Sequence, residues 1–511
     1  MLAALRTAVL VGIEASLVRV EVDVAFGLPS FSVVGLPDAS IRESRDRVRS
    51  AVQNVGLEFP LRRITVNLAP ADLRKVGTSL DLPIALGVLA AAGFLKRRDM
   101  TDTVVVGELS LDGQIQPSRG TLPVALATRA AGLRALVLPA ACAPEAQLVP
   151  GLRSIPVDAL PAAVAAINDP ETALKSRVAL AIAAPSPSPT PLDLADVRGQ
   201  ALARRALEVA AAGGHHLLLI GPPGSGKTML ARRLPGILPA LTADEALETT
   251  SIYSVTGLLP PGSGLLAARP FRSPHHTASE AALVGGGTIP RPGEVSLAHN
   301  GVLFLDELLE FDRRSLEALR QPLEDGFVTI ARVAGSARFP ARFQLVAALN
   351  PCPCGHRGDR RLECRCTPNQ VARYQQRLSG PLRDRLDLAV EVPPVPYASL
   401  RAPTDPENSA AVRTRVQRAR ATQVERLTPL GLSLNAHLHG RELRQAAPLE
   451  PAAEQLLATV TRTLSLSARA VERLVRVART VADLAGSEVI GREHLAESVQ
   501  FRGAPGAAGS L

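Results

Sequence analysis

The sequence predicts an α/β protein in three parts: an amino-terminal α/β unit, a second α/β core built on a glycine-rich loop, and a carboxy-terminal helical lid. Three observations point there. Residues 183–191 alternate proline with serine, threonine and alanine, a pattern that favours an extended spacer. Downstream, an apolar strand, a glycine-rich loop and an amphipathic helix follow in direct succession. From Asn408 onward the apolar residues adopt helical spacing. The expected divisions are residues 1–182, a linker at 183–191, a core at 192–400, a helical lid at 401–502, and a Gly/Ala/Ser-rich tail at 503–511.

Taken in order, residues 1–11 are read as the first strand and 18–25 alternate apolar and charged residues at period two, the mark of a half-buried strand. Residues 64–68 and 104–106 are short β-branched runs, and 80–95 form an apolar helix candidate. After the spacer, 202–212 are predicted as a helix, 215–220 as a buried strand and 228–238 as the next helix. Residues 301–305 and 344–349 are two further apolar strands bounded by charged or turn residues. Between them, 324–343 read as a hairpin around Ala334-Gly335. The lid is expected as helices at 409–427, 451–464 and 468–484, the last with arginines opposite an apolar face.

A hydrophobic fraction of 46% over 511 residues supplies packed cores and excludes global disorder. No run approaches the roughly 18 apolar residues a membrane helix needs, and the start lacks a cleavage pattern, so a cytoplasmic protein without a membrane partner is expected. The net charge of +9 favours a polyanionic partner. Aromatics are only 3% with no Trp, which leaves base-stacking platforms poorly supplied. Nucleic acid, if bound, would be held through its backbone, without much regard to sequence and with steep salt dependence. Arg332, Arg338 and Arg342 would give the 324–343 hairpin a positive edge, and arginine also outnumbers glutamate from 412 to 479.

Gly221, Pro222, Pro223, Gly224, Ser225, Gly226, Lys227 and Thr228 fit the phosphate-loop pattern G-x-x-x-x-G-K-[ST] between a strand and a helix. Glycines let backbone N–H groups wrap a phosphate, and the helix start adds a favourable dipole. Lys227 would reach the β- and γ-phosphates of ATP and Thr228 would hold Mg2+. Asp306 and Glu307 end the second apolar strand, where ligands of open α/β sheets sit. Asp306 would support the metal and Glu307 would activate water. Asn350 ends the third strand, where its amide can sense the γ-phosphate.

Phosphate loop, Asp-Glu strand and Asn-ended strand in this order resemble an AAA+ ATPase. Asp196-Val-Arg-Gly-Gln200, Arg269-Pro-Phe-Arg-Ser-Pro-His-His-Thr277 and Ser379-Gly-Pro-Leu-Arg-Asp-Arg-Leu-Asp-Leu388 are similar to the magnesium-chelatase-like group, and nearly the whole chain resembles the ComM (YifB) family. That resemblance implies that Arg385 is an arginine finger reaching a neighbouring subunit's γ-phosphate and that Arg469 is the lid arginine called sensor 2. It implies a hexameric ring, and a helicase that promotes branch migration on single-stranded or branched DNA in natural transformation. A magnesium-chelatase-like motor that drives metal insertion through a partner protein is the alternative.

The amino-terminal part resembles the Lon-protease-like (S5-like) fold around Lys75-Val-Gly-Thr-Ser-Leu-Asp81 and Val106-Gly-Glu-Leu-Ser-Leu-Asp-Gly113. Ser79 lies near the place of the Lon serine, but residues 117–125 contain no lysine to take its proton, so proteolysis is not expected. Two features are left with alternatives. Cys352, Cys354, Cys364 and Cys366 could hold a structural Zn2+, with His356 as a substitute ligand, or could be reduced structural thiols. His275 and His276 could meet a ligand in a ring pore or anchor an insert.

Overall fold

The computed structural model describes residues 1–169, 192–260, 262–332, 335–358, 362–397 and 407–502. The expected spacer at 183–191, the hairpin residue Ala334 and the tail at 503–511 lie outside them.

Strands β1 (Leu2–Val11) and β2 (Glu14–Ala25) pair antiparallel, Leu5 opposite Val20. The period-two pattern works as expected: Val18, Val20, Val22 and Val24 are all buried. With β3 (Ser30–Val34), β4 (Arg63–Ala69), β5 (Asp99–Val105), β6 (Ala135–Pro139) and β7 (Arg153–Val157) they form a mixed sheet in the order β3-β4-β2-β1-β5-β6-β7. Helix α1 (Ala39–Asn54) starts where the Asp38 carboxylate accepts from the Ile41 N–H at 3.0 Å. Helix α2 (Asp81–Ala92) has no polar face, and so lies between α1 and the sheet with Leu82, Ile84, Leu86 and Val88 fully buried.

The second sheet is wholly parallel. It contains β8 (Leu217–Ile220), β9 (Phe271–Arg272), β10 (Val302–Leu305), β13 (Gln344–Leu349) and β14 (Leu388–Glu391), in the order β9-β10-β13-β8-β14. Its strands read as apolar runs because both faces are covered. Leu217 and Leu219 pack toward α4 (Ala201–Gly213) and the lid, whereas Leu218 and Ile220 join a second core with Leu303 and Leu305. The predicted hairpin is present as β11 (Phe327–Arg332) and β12 (Gly335–Pro340), anchored by buried Val328, Ile330 and Phe339.

The helix predicted over 228–238 is broken. Helix α5 spans Lys227–Ala231, and a separate turn covers Leu234–Ile237. Pro235 has no N–H to donate to the preceding turn, so the helix cannot run through it. The Arg233 guanidinium bonds the Met229 carbonyl at 2.9 Å, satisfying an oxygen the break leaves free.

Helix α3 (Thr121–Ala130) of the amino-terminal unit meets α6 (Ala243–Thr256) of the core. There the Gly120 N–H donates to the Ser254 carbonyl at 3.1 Å, and the Ser254 hydroxyl donates to Glu145 at 2.5 Å. The lid helices are α7 (Ser409–Leu427), α8 (Pro451–Thr463), α9 (Ala468–Ala485) and α10 (Arg492–Gln500). Val412 and Val416 of α7 and Val477 and Val481 of α9 pack into the core cluster beneath β8.

Candidate functional site

Parallel strands present their carboxyl ends on one edge, and β8, β10 and β13 bring the glycine-rich loop, Asp306 and Asn350 together there. Gly224 and Gly226 take φ values of 74° and 95°, which side chains with a Cβ rarely adopt, so the turns of the loop depend on glycine. Lys227 is 8% exposed. Its ammonium donates to the carbonyls of Gly221 and Pro222 at 2.7 and 2.9 Å and to Asn350 Oδ1 at 3.1 Å. Burial pulls its pKa below the ordinary lysine value, with Asp306 and Glu307 pulling the other way. The Ser225 hydroxyl is buried and has no hydrogen-bond partner among the described residues. A buried cation bonded to neutral oxygens, next to an orphan hydroxyl, suits a phosphate ligand.

Thr228 Oγ1 donates to Asp306 Oδ2 at 2.7 Å, which places two hard oxygen donors where a Mg2+ ion would join a phosphate. Glu307 sits in the left-handed region at φ 50°, ψ 47°, its N–H held by Asp306 Oδ1 at 3.0 Å. This turn separates the two carboxylates. Glu307 Oε2 lies 3.2 Å from His276 Nδ1, and the His275 ring lies 4.1 Å from that of His276. Sequence left these histidines between two readings, and neither was a contact with Glu307. The available signal was their position just after β9, at the same edge of the sheet.

Arg385 and Arg469 lie apart from this cluster. Arg385 Nη2 bonds Glu324 at 2.6 Å. Arg469 pairs with Asp384 at 3.6 Å and remains 73% exposed. One turn on, Arg473 is a buried arginine of α9 and donates to the carbonyls of Arg383 and Leu386 at 3.1 and 3.0 Å. Sequence reasoning passed over it, and over a polar knot that joins β8, β14 and α9. There His215 bonds Asp387 at 2.9 Å and Thr480 at 2.8 Å, and Arg476 bonds Asp387 at 2.9 Å. Burial alone would raise the Asp387 pKa, but Arg476 and His215 outweigh it and hold the carboxyl below its usual range.

In the amino-terminal unit, Lys75 is buried and its ammonium is on the Pro70 carbonyl. Asp81 is held by Arg47 and Ser44. No lysine amine bonds Ser79 among the described residues. Elsewhere, the Sγ atoms of Cys352, Cys354, Cys364 and Cys366 all lie within 4.8 Å of one another, an arrangement compatible with zinc.

Residues 193–400 match a family model described as "Magnesium chelatase, subunit ChlI". Residues 20–142 match "Subunit ChlI of Mg-chelatase", and 406–502 match "Magnesium chelatase, subunit ChlI C-terminal". The competence protein ComM of Haemophilus influenzae is 46% identical over 495 residues, covering 96% of this chain and 95% of that protein. The chain belongs to the ComM/YifB family of magnesium-chelatase-like AAA+ ATPases. A second relative, the uncharacterized protein YifB of Escherichia coli, is 45% identical over 98% of this chain and 97% of its own length. The magnesium-chelatase 67 kDa subunit of Chlorobaculum tepidum is 29% identical, over 30% of this chain and 23% of that protein. The α/β fold class with a helical carboxy-terminal region is borne out. Among the described residues, no helix is long and apolar enough to cross a membrane.

Proposed function

We propose that this chain is an ATP-driven DNA motor of the cytoplasm, a helicase that promotes branch migration during natural transformation or recombination. The observation that carries the ATPase part is the convergence of Lys227, Thr228, Asp306 and Asn350 at one sheet edge. Lys227 and the loop N–H groups take the phosphates, and Thr228 and Asp306 hold Mg2+, which neutralises charge developing on the phosphates. Glu307 accepts the proton of the attacking water. Asn350, bonded to Lys227, reports on the γ-phosphate. Arg385 acts on a neighbouring subunit's nucleotide and Arg469 acts from the lid, so the working form is a ring, taken as a hexamer. The sulfur cluster suits a structural Zn2+.

DNA as partner is supported by the ComM relative, which is named a competence protein. The net charge of +9, the exposed Arg332 and Arg338 on the β11–β12 hairpin and the exposed Arg342 just after it fit a phosphate backbone. A second reading, a motor for metal insertion, is favoured by the descriptions of the matching family models. Against it, the chelatase subunit covers less than a third of this chain. ATP turnover with and without single-stranded DNA, together with unwinding of a four-way DNA junction, separates the two. Stimulated turnover and ATP-dependent unwinding are expected; turnover and assembly indifferent to every DNA tested would overturn the DNA reading.

A further inference from the structure

Cys352 and Cys354 follow directly on Asn350, at the end of β13, and Cys364 and Cys366 return to meet them. The Sγ separations are 3.4 Å between Cys352 and Cys354, 3.6 Å between Cys352 and Cys364, and 3.6 Å between Cys354 and Cys364. Four thiolates at about 2.3 Å from a tetrahedral zinc stand about 3.8 Å from one another, close to these values. A disulfide would bring one pair to about 2.05 Å, and all five cysteines of the chain are free. Four sulfur ligands leave no open position, the signature of a structural site rather than a catalytic one.

The cluster touches the nucleotide pocket on two sides. Its first ligand is two residues from Asn350, whose amide oxygen bonds Lys227. Its turn, closed by the Gly355 N–H on the Cys352 carbonyl at 2.9 Å, packs on the phosphate loop. The approach is close enough that a Cβ on Gly355 would lie 2.6 Å from Pro223 Cδ. Gly355 also takes φ 81°, so a side chain there is excluded twice. Cys352 itself is fully buried.

We propose that Cys352, Cys354, Cys364 and Cys366 bind one Zn2+ and that this ion is a structural part of the nucleotide pocket, fixing Asn350 and bracing the phosphate loop through the Gly355–Pro223 contact. The metal site stands on the sulfur geometry alone, whereas its effect on nucleotide rests on the ATPase reading above. Zinc binding displaces the thiol protons to solvent and needs no redox partner. The cluster ties Cys352 and Cys354, just after β13, to Cys364 and Cys366 ahead of the helix at Pro368–Gln375.

The test uses the full chain, purified without added chelator. Metal analysis is expected to find one zinc per chain in the wild type and in Cys142→Ser, and almost none in the double variant Cys354→Ser/Cys364→Ser. Substituted cobalt should give the thiolate charge-transfer and ligand-field bands of a tetrahedral sulfur site. Affinity for a fluorescent ATP analogue should weaken by about tenfold or more in the double variant, because small displacements of a positioned group are costly. Should that variant fail to fold, stripping zinc from the wild type with a mercurial reagent and chelator, then restoring it, gives the same comparison. A wild type that is folded and metal-free, or cobalt bands lacking sulfur ligation, overturns the metal site. Full zinc with nucleotide affinity unchanged by its removal overturns the coupling. Lys227→Ala separates the two readings: it should keep its zinc and lose ATP, and if it keeps both, the ATPase assignment fails while the metal site stands.

Discussion

His276 Nδ1 lies 3.2 Å from Glu307 Oε2, joining the loop after β9 to the carboxylate after β10. Glu307 has a left-handed backbone and a side chain that is 52% exposed, so its carboxylate would otherwise sample many rotamers. The imidazole restricts it to the pocket edge, with the His275 ring packed behind.

Replacing His276 by Ala should therefore lower kcat for ATP by about tenfold, less than the roughly 100-fold loss expected on removing a general base itself, with KM unchanged. His276→Asn keeps a donor and should recover part of the rate. Steady-state kinetics of the two variants check this, and a raised KM at constant kcat would show that His276 serves nucleotide binding instead.

Glu307→Gln preserves the metal-facing Thr228–Asp306 pair but cannot take a proton from water. Turnover is expected to fall about 100-fold or more while ATP binding persists, as measured by single-turnover hydrolysis beside equilibrium binding. Wild-type hydrolysis by this variant would remove Glu307 from its role.

Lys227→Ala deletes the buried ammonium whose present partners are neutral oxygens. Charge-assisted bonds to phosphate are worth about 1.5–3 kcal/mol each, so ATP affinity should drop roughly 100-fold. Equilibrium titration with labelled nucleotide reads it directly.

Arg385 is held in the single chain by Glu324 at 2.6 Å, at a partly exposed edge. If it serves the neighbouring subunit, Arg385→Ala should bind ATP normally and hydrolyse about a thousandfold more slowly. Arg385→Lys should rescue little, because an ammonium lacks the planar fork. Mixed with excess Glu307→Gln protein, the Arg385→Ala chains should regain some turnover wherever a mutant site faces an intact arginine.

Acid should destabilise the core through His216. Its Nδ1 accepts from the Leu345 N–H at 3.0 Å, linking β8 to β13, and burial pulls its pKa down to about 4 from an ordinary 6.5. The unfolded chain thus takes up the proton first. The histidine's contribution is fully present above pH 6.5 and is lost progressively as pH falls toward 4, by at most about 3 kcal/mol. Thermal melts across that window should show a falling Tm, with a shallower slope in His216→Gln.

Local pattern was enough for much of this protein. The period-two valines of β2, the uniformly apolar α2, the glycines of the phosphate loop and the carboxylates ending β10 are properties of short stretches, whose dihedral and solvent preferences travel with the residues. So was the family, carried by motifs spread along nearly all of the chain. Tertiary structure alone decided who meets whom. The strand order that sets β8 between β13 and β14 brings Asn350 to Lys227, 123 residues earlier, and packing of the β9 loop brings His276 to Glu307. It left Arg469 exposed beside Asp384, while Arg473 turned inward. Even the break in the helix at Pro235 is completed by a distant group, since Arg233 also bonds the Asp193 carbonyl, 40 residues earlier. Such pairings depend on how buried surfaces from remote segments fit together, and residue spacing along one strand or helix carries no record of that fit.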